Sequence, residues 1–302
     1  MNLFIIGNGF DLAHSLPTSY RDFRSYLLRK YPGCDEFDDL VPEPVMLPDG
    51  SIKYDENDIA GYITKIIDEC ENDRWSDLET CLGNKVIDRL VDDLEDVSMD
   101  DSDKETMRAI YRNEDCSEDM KRVFVQIKNL FTAWVREDLS KINCTPKPII
   151  AKVLSDGDAF LSFNYTKTLE EAYGKKNVCH IHGFVDSPDD EIIFGHGDVE
   201  EYPESMNTFG ADINLNQLKR ELRKDTHAAL SRHLDFFQNL RDVASIHSFG
   251  FSFSDVDMVY IEEIAKRASG ATWYFNSYDA GADDKKAKLQ KLGFNVEVDY
   301  RW

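Results

Sequence analysis

Apolar positions in this chain form short continuous runs near its two ends and helically spaced stripes between them. Leu3-Phe4-Ile5-Ile6 stops at Gly7-Asn8-Gly9, and an unbroken apolar run bounded by glycines predicts a strand buried on both faces. Asp158 to Asn164, Val178 to Gly183, Ile192 to Asp198, Val243 to Gly250, Ala271 to Asn276 and Phe294 to Asp299 repeat the pattern, giving seven strand candidates. Helical spacing falls between them. Tyr20, Phe23, Tyr26 and Leu27 mark a helix running to Lys30, where Pro32 and Gly33 stop it. Thr166 to Tyr173 is ended by Gly174, a long polar helix spans Asn214 to Leu240, Ser254-Asp255 caps Val256 to Ala268, and Lys285 to Leu292 separates the last two strands. Strands alternating with helices predict an α/β fold with a mostly parallel sheet.

The alternation is interrupted. Cys34 to Glu56 is acidic and proline-rich and reads as a surface excursion. From Asp58 to Lys141 the stripes are all helical: Ile59, Tyr62, Ile63 and Ile66; Leu78, Leu82, Val86, Ile87 and Leu90; then Met120, Val123, Phe124, Ile127, Leu130, Phe131, Trp134 and Val135. The expected organisation is therefore an α/β domain over 1–33 and 145–302, with an acidic excursion and all-helical insertion over 34–144. Trp75-Ser76-Asp77-Leu78-Glu79 reads as a capping signature, Ser76 at the cap and Glu79 three residues on.

Charge narrows the partners. With 35 basic and 58 acidic side chains among 302 residues, a formal charge of -23 opposes generic nucleic-acid binding. No stretch has the length of a membrane span, and the N-terminal run is too short and lacks the basic flank of a signal peptide. Six cysteines occur without a C-x-x-C pair, arguing against a zinc ribbon and for reduced thiols in a cytoplasmic protein.

Ligands of open parallel sheets sit beyond the carboxyl ends of the strands. The loops after Ile6, Phe163 and Phe249, together with His182, would converge there. Backbone amides near Gly7 and Gly9 would hold phosphates, Ser252 would bond a ribose hydroxyl, and Asn164 and His182 would remain for chemistry. A rival reading is a divalent-metal hydrolase, with His180 and His182 alternating onto one strand face and His196 and Asp198 nearby. Gly250-Phe251-Ser252-Phe253-Ser254 lacks the second glycine of a serine nucleophile elbow.

Ile5-Ile6-Gly7-Asn8-Gly9-Phe10-Asp11-Leu12-Ala13, Pro17-Thr18-Ser19-Tyr20, Trp75 to Glu79, Phe163-Asn164-Tyr165-Thr166, His180-Ile181-His182-Gly183 and Gly250 to Asp255 together resemble the AbiH family of bacterial phage abortive-infection proteins. More distantly, the order of motifs is similar to the sirtuin-like, Rossmann-like NAD-binding fold. That resemblance implies a doubly wound sheet and an NAD site in which Gly7, Asn8, Gly9, Phe10, Asp11, Pro17, Tyr20, Arg24, Gly250, Ser252 and Asp255 bind the dinucleotide. Asn164 and His182 would be catalytic. It implies NAD+ as substrate, no metal, and hydrolysis to nicotinamide and ADP-ribose in antiviral defence. The alternative is a non-catalytic NAD or ADP-ribose sensor acting through a protein partner. A protein activator, a phage component and self-association are the further partners it suggests. The chain departs from the sirtuin pattern where Asp11 replaces a serine and Thr166 replaces an aspartate, and it lacks the four zinc cysteines of protein deacylases.

Overall fold

A computed structural model describes residues 1–69, 78–79, 81–95, 97, 102–197, 200–202, 208–276 and 283–299. The N-terminal apolar run forms β1 (Asn2–Ile6), followed by β2 (Val45–Met46), β3 (Ile52–Lys53), β4 (Ala159–Ser162), β5 (Val178–His180), β6 (Ser245–Phe249), β7 (Thr272–Asn276) and β8 (Asn295–Asp299). β2 and β3 pair as an antiparallel hairpin; the rest form one sheet in the order β5-β4-β1-β6-β7-β8. Every pairing in that sheet is parallel. The order runs outward on one side of β1 and reverses at the β1–β6 junction, the doubly wound arrangement whose switch point lies between those two strands.

β1 explains why the run is continuous. Leu3 and Ile5 face a core with Leu161, Ile246, Trp273, Tyr260 and Ile264. Phe4 and Ile6 face the opposite core with Phe10, Ile150, Phe160, Leu169 and Phe249. Both faces are covered, so neither parity of the strand can be polar. Register places Ile6 beside both Ser162 and Phe249, and Ser162 beside His180. The carboxyl ends of four strands thus finish level at one edge.

The chain divides into two units, one of 1–19, 135–193 and 225–302, the other of 20–134 and 194–224. The first holds the six-stranded sheet. The second holds the hairpin and the helices Tyr20–Lys30, Glu56–Glu69, Asn84–Asp92, Asp103–Phe124 and Asp212–Glu221. Ser102 and Glu105 form a capping box at the start of Asp103–Phe124, whereas the signature at Trp75-Ser76-Asp77 lies outside the described residues.

Three expectations need correction. Ile192 to Gly197 forms no strand, only an isolated bridge between His196 and Arg223; Asp198 lies outside the described residues. A one-turn helix over Asp189–Glu191 and a positive φ of 147° at Gly195 leave too little extended chain to join the sheet. The long polar helix is broken into Asp212–Glu221, Thr226–Arg232 and Leu234–Gln238, because Asp225 takes the Ala228 N–H at 2.9 Å and starts a new helix there. Cys81 is in a disulfide, whereas Cys34, Cys116, Cys144 and Cys179 are free thiols. No helix among the described residues is long and apolar enough to cross a membrane.

Candidate functional site

The glycine turns that end β1 and β6 are packed on each other. Gly7 N–H donates to Phe249 O at 3.0 Å and Gly9 N–H to Gly250 O at 3.1 Å. A Cβ on Gly7 or Gly250 would overlap the opposing backbone, and one on Gly9 would lie 2.6 Å from Gly250 Cα. Gly250 also holds a positive φ of 63°. Close backbone approach is therefore what these glycines provide. The two amides expected to hold a phosphate are bonded to protein carbonyls.

One turn beyond, Asp11 is buried at 1% exposure. Thr166 Oγ1 donates to its Oδ2 at 2.7 Å and Thr168 Oγ1 to its Oδ1 at 2.8 Å. Burial pushes its carboxyl up from the usual range to about 6, against the lowering pull of both hydroxyls, Asn164 and His180. A carboxyl group so placed exchanges protons near neutrality.

Asn164 follows β4 at the sheet edge and is 5% exposed. Its main chain is engaged: the N–H donates to Ser162 Oγ at 3.2 Å, and the carbonyl lies 3.2 Å from His180 Nδ1. Its side chain is not. Neither Nδ2 nor Oδ1 has a hydrogen-bond partner within the described protein, although the amide lies close enough to Asp11 to favour its ionised form. His180 Nε2 is 2.8 Å from Glu170 Oε1, and the ring stacks on Phe184 with centroids 4.4 Å apart. Both ring nitrogens face oxygen acceptors, and only the imidazolium can donate to both at once. Glu170 Oε2 is buried and likewise unbonded. Asp11, Asn164, Thr166, Thr168, Glu170 and His180 line a shallow depression together with Ile6, Phe10, Ser162 and Leu169.

His182 lies elsewhere. β5 ends at His180 and the chain turns, with Gly183 N–H bonded to His180 O at 3.1 Å and Gly183 at a φ of 76°. The turn breaks the alternation that would put both histidines on one face. The His182 ring packs edge-on against Phe163 with centroids 5.2 Å apart, and its Nε2 is 3.4 Å from Asp257 Oδ1. His196 belongs to the second unit, where its Nε2 meets Lys219 O at 2.9 Å. Among the described residues no three His, Cys, Asp or Glu side chains are grouped to hold a metal ion.

The remaining expected binding residues divide. Phe10 is buried beneath the depression, tilted against His14 at 4.7 Å. Asn8 is half-buried, and Pro17 and Ser252 are exposed. Asp255 is exposed and paired with Lys288 at 2.6 Å. Tyr20 and Arg24 lie in the second unit, where the Arg24 guanidinium clasps the Asp68 carboxylate. Thr168 and Glu170 are lining residues that motif reading passed over. Their signal was the placement of Thr166, Thr168 and Glu170 across the start of a helix that opens directly after a strand-end Asn.

The family model for Bacteriophage abortive infection AbiH matches residues 3–277. No curated protein and no solved structure matches the chain.

Proposed function

Since the chain belongs to the AbiH family of bacteriophage abortive-infection proteins, we propose that it acts in phage defence as an enzyme hydrolysing NAD+ to nicotinamide and ADP-ribose. The observation that carries this reading is the buried, unbonded Asn164 side chain beside Asp11 at the carboxyl edge of a doubly wound sheet. A buried amide whose nearest group is the Asp11 carboxyl it favours in ionised form, with no other partner in hydrogen-bond geometry, costs free energy unless a ligand completes its bonds.

The chemistry suits the groups present. The bond between nicotinamide N1 and ribose C1′ breaks with its electron pair going to the ring nitrogen, which neutralises the pyridinium and leaves an oxocarbenium-like sugar. Asp11 as carboxylate stabilises that charge and takes a proton from the water that adds to C1′. Asn164 orients a ribose hydroxyl, and His180, steadied by Glu170, sets the position of the Asn164 main chain. The products are nicotinamide, ADP-ribose and one proton. Loss of NAD+ then ends infection by starving the cell.

A non-catalytic sensor of NAD+ or ADP-ribose acting through a protein partner is the second reading, since a buried amide without a geometric partner suits holding a ribose hydroxyl as well as it suits cleavage. Incubating the purified chain with NAD+ separates the two. The hydrolase reading expects nicotinamide release that Asn164→Ala lowers by at least about a hundredfold. Calorimetric binding without release supports the sensor.

A further inference from the structure

The hairpin of the second unit carries apolar side chains into solvent. β2 and β3 form a two-stranded sheet of their own, with Val45 opposite Lys53 and Met46 opposite Ile52. Directly opposed residues share a face, so Met46 and Ile52 make one apolar pair. It is uncovered, Met46 being 76% exposed and Ile52 42%. Leu40, Val45 and Leu47 are exposed in the same stretch. Single exposed apolar residues are ordinary, whereas a cluster of them on one excursion marks a contact surface.

The shape of the hairpin is held without those side chains. Leu47-Pro48-Asp49-Gly50 turns tightly, with Gly50 N–H donating to Leu47 O at 2.9 Å and Leu47 N–H to Ser51 O at 2.8 Å. Asp49 Oδ1 accepts the Ser51 N–H at 2.9 Å and the Ser51 hydroxyl at 2.6 Å, bonds that hold the Asp49 carboxyl below its usual range. Pro42 is buried at the base, and Tyr54 OH donates to Asp119 Oδ1 at 2.6 Å on the helix Asp103–Phe124. A two-stranded hairpin is marginal by itself, and here the turn and the base anchors steady it. Because Leu47 N–H points inward to Ser51, the positions flanking Met46 on the outward side of β2 are Pro44 and Pro48. Neither has an N–H with which to pair another strand, so contact at this edge falls to side chains.

Charge around the tip is negative. Glu43, Asp49, Asp55 and Glu56 are exposed and flank it, against one basic residue, Lys53. Two copies of this surface would oppose like charges, whereas a cationic rim is attracted to it. We propose that the hairpin tip is a protein-docking surface whose partner presents an apolar cleft edged by lysine or arginine. Met46 and Ile52 enter the cleft, and the four carboxylates meet its rim. The proposal stands apart from the NAD+ reading, since none of these residues lines the depression at Asp11.

The test uses a helical peptide of leucine and lysine, apolar on one face and basic along its borders, and a counterpart with glutamate in place of lysine. Each is titrated calorimetrically into the full chain and into the double variant Met46→Ser, Ile52→Ser, which keeps every charge. The lysine peptide should bind, the glutamate peptide should not, and the double variant should bind the lysine peptide about tenfold more weakly at an unchanged melting temperature. Raising the salt should weaken binding further. Failure of the lysine peptide to bind would overturn the proposal, and so would equal binding by the two proteins, which would mean that charge acts alone. A dimer of the intact chain in sedimentation that the double variant abolishes would assign the surface to a second copy and overturn it as well.

Discussion

Thr166 gives its hydroxyl hydrogen to Asp11 at 2.7 Å, joining the helix after β1 to the loop after β4. The threonine supplies the partner that the carboxyl needs. A carboxylate on the first helix would be costly in a buried pocket on its own, and Thr166 and Thr168 together meet both of its oxygens.

The raised pKa of Asp11, about 6 against an ordinary 3.8, has a defined effect on stability. The folded state holds this proton more tightly than the unfolded chain, so stability falls as pH rises from about 4 to about 6, by on the order of 3 kcal/mol. Asp11→Asn removes the titration. Thermal melts from pH 4 to 8 should show the variant gaining on the unaltered protein across that interval and holding its gain above it. A constant difference in melting temperature would show that Asp11 does not titrate there.

Thr166→Val deletes one of the bonds that hold the Asp11 carboxyl down. If ionised Asp11 takes the proton from water, the acid limb of the rate profile should move to higher pH in this variant. An unmoved limb would assign it to another group.

Gly250 and Gly174 share a positive φ, 63° and 64°, but only Gly250 faces opposing backbone; nothing lies within 4 Å of a Cβ on Gly174. Gly174→Ala should cost about 1 kcal/mol, the strain of the conformation alone. Gly250→Ala adds overlap with Gly9 and should cost upward of about 3 kcal/mol by chemical denaturation. Similar losses in both would contradict the close packing of the two turns.

The two histidines should separate by readout. His180→Ala removes the ring that Asn164 and Glu170 hold, so turnover should fall by at least about a hundredfold with a modest loss of stability. His182→Ala vacates the space against Phe163, Tyr260 and Asp257 and should act chiefly on stability, lowering it by about 2–4 kcal/mol. Purified variants assayed for both quantities decide it; the reverse pattern would return the chemistry to His182.

The parallel sheet was legible because each central strand is buried on both faces and ends at a glycine or asparagine, as at Ile6-Gly7 and Phe163-Asn164. Asn164 stood out as a candidate because it lies just past a strand end, whereas Asp11, inside the helix Asn8–Ala13, entered only through the resemblance. The choice between His180 and His182 was not, since their spacing of two fits one strand face and only the turn at Gly183 separates them. Glu170 and Thr168 were hidden because a helix start rich in Thr and Glu is equally what capping and helix-dipole preferences produce. Ile192 to Gly197 misled because a strand-like run carries no mark of the backbone turn that Gly195 makes.

The central claim is tested most directly by the NAD+ content of phage-infected cells expressing the intact chain or Asn164→Ala at equal abundance. NAD+ should fall after infection with the intact chain and hold at the uninfected level with the variant. An equal fall in both, or no fall in either, would contradict the account.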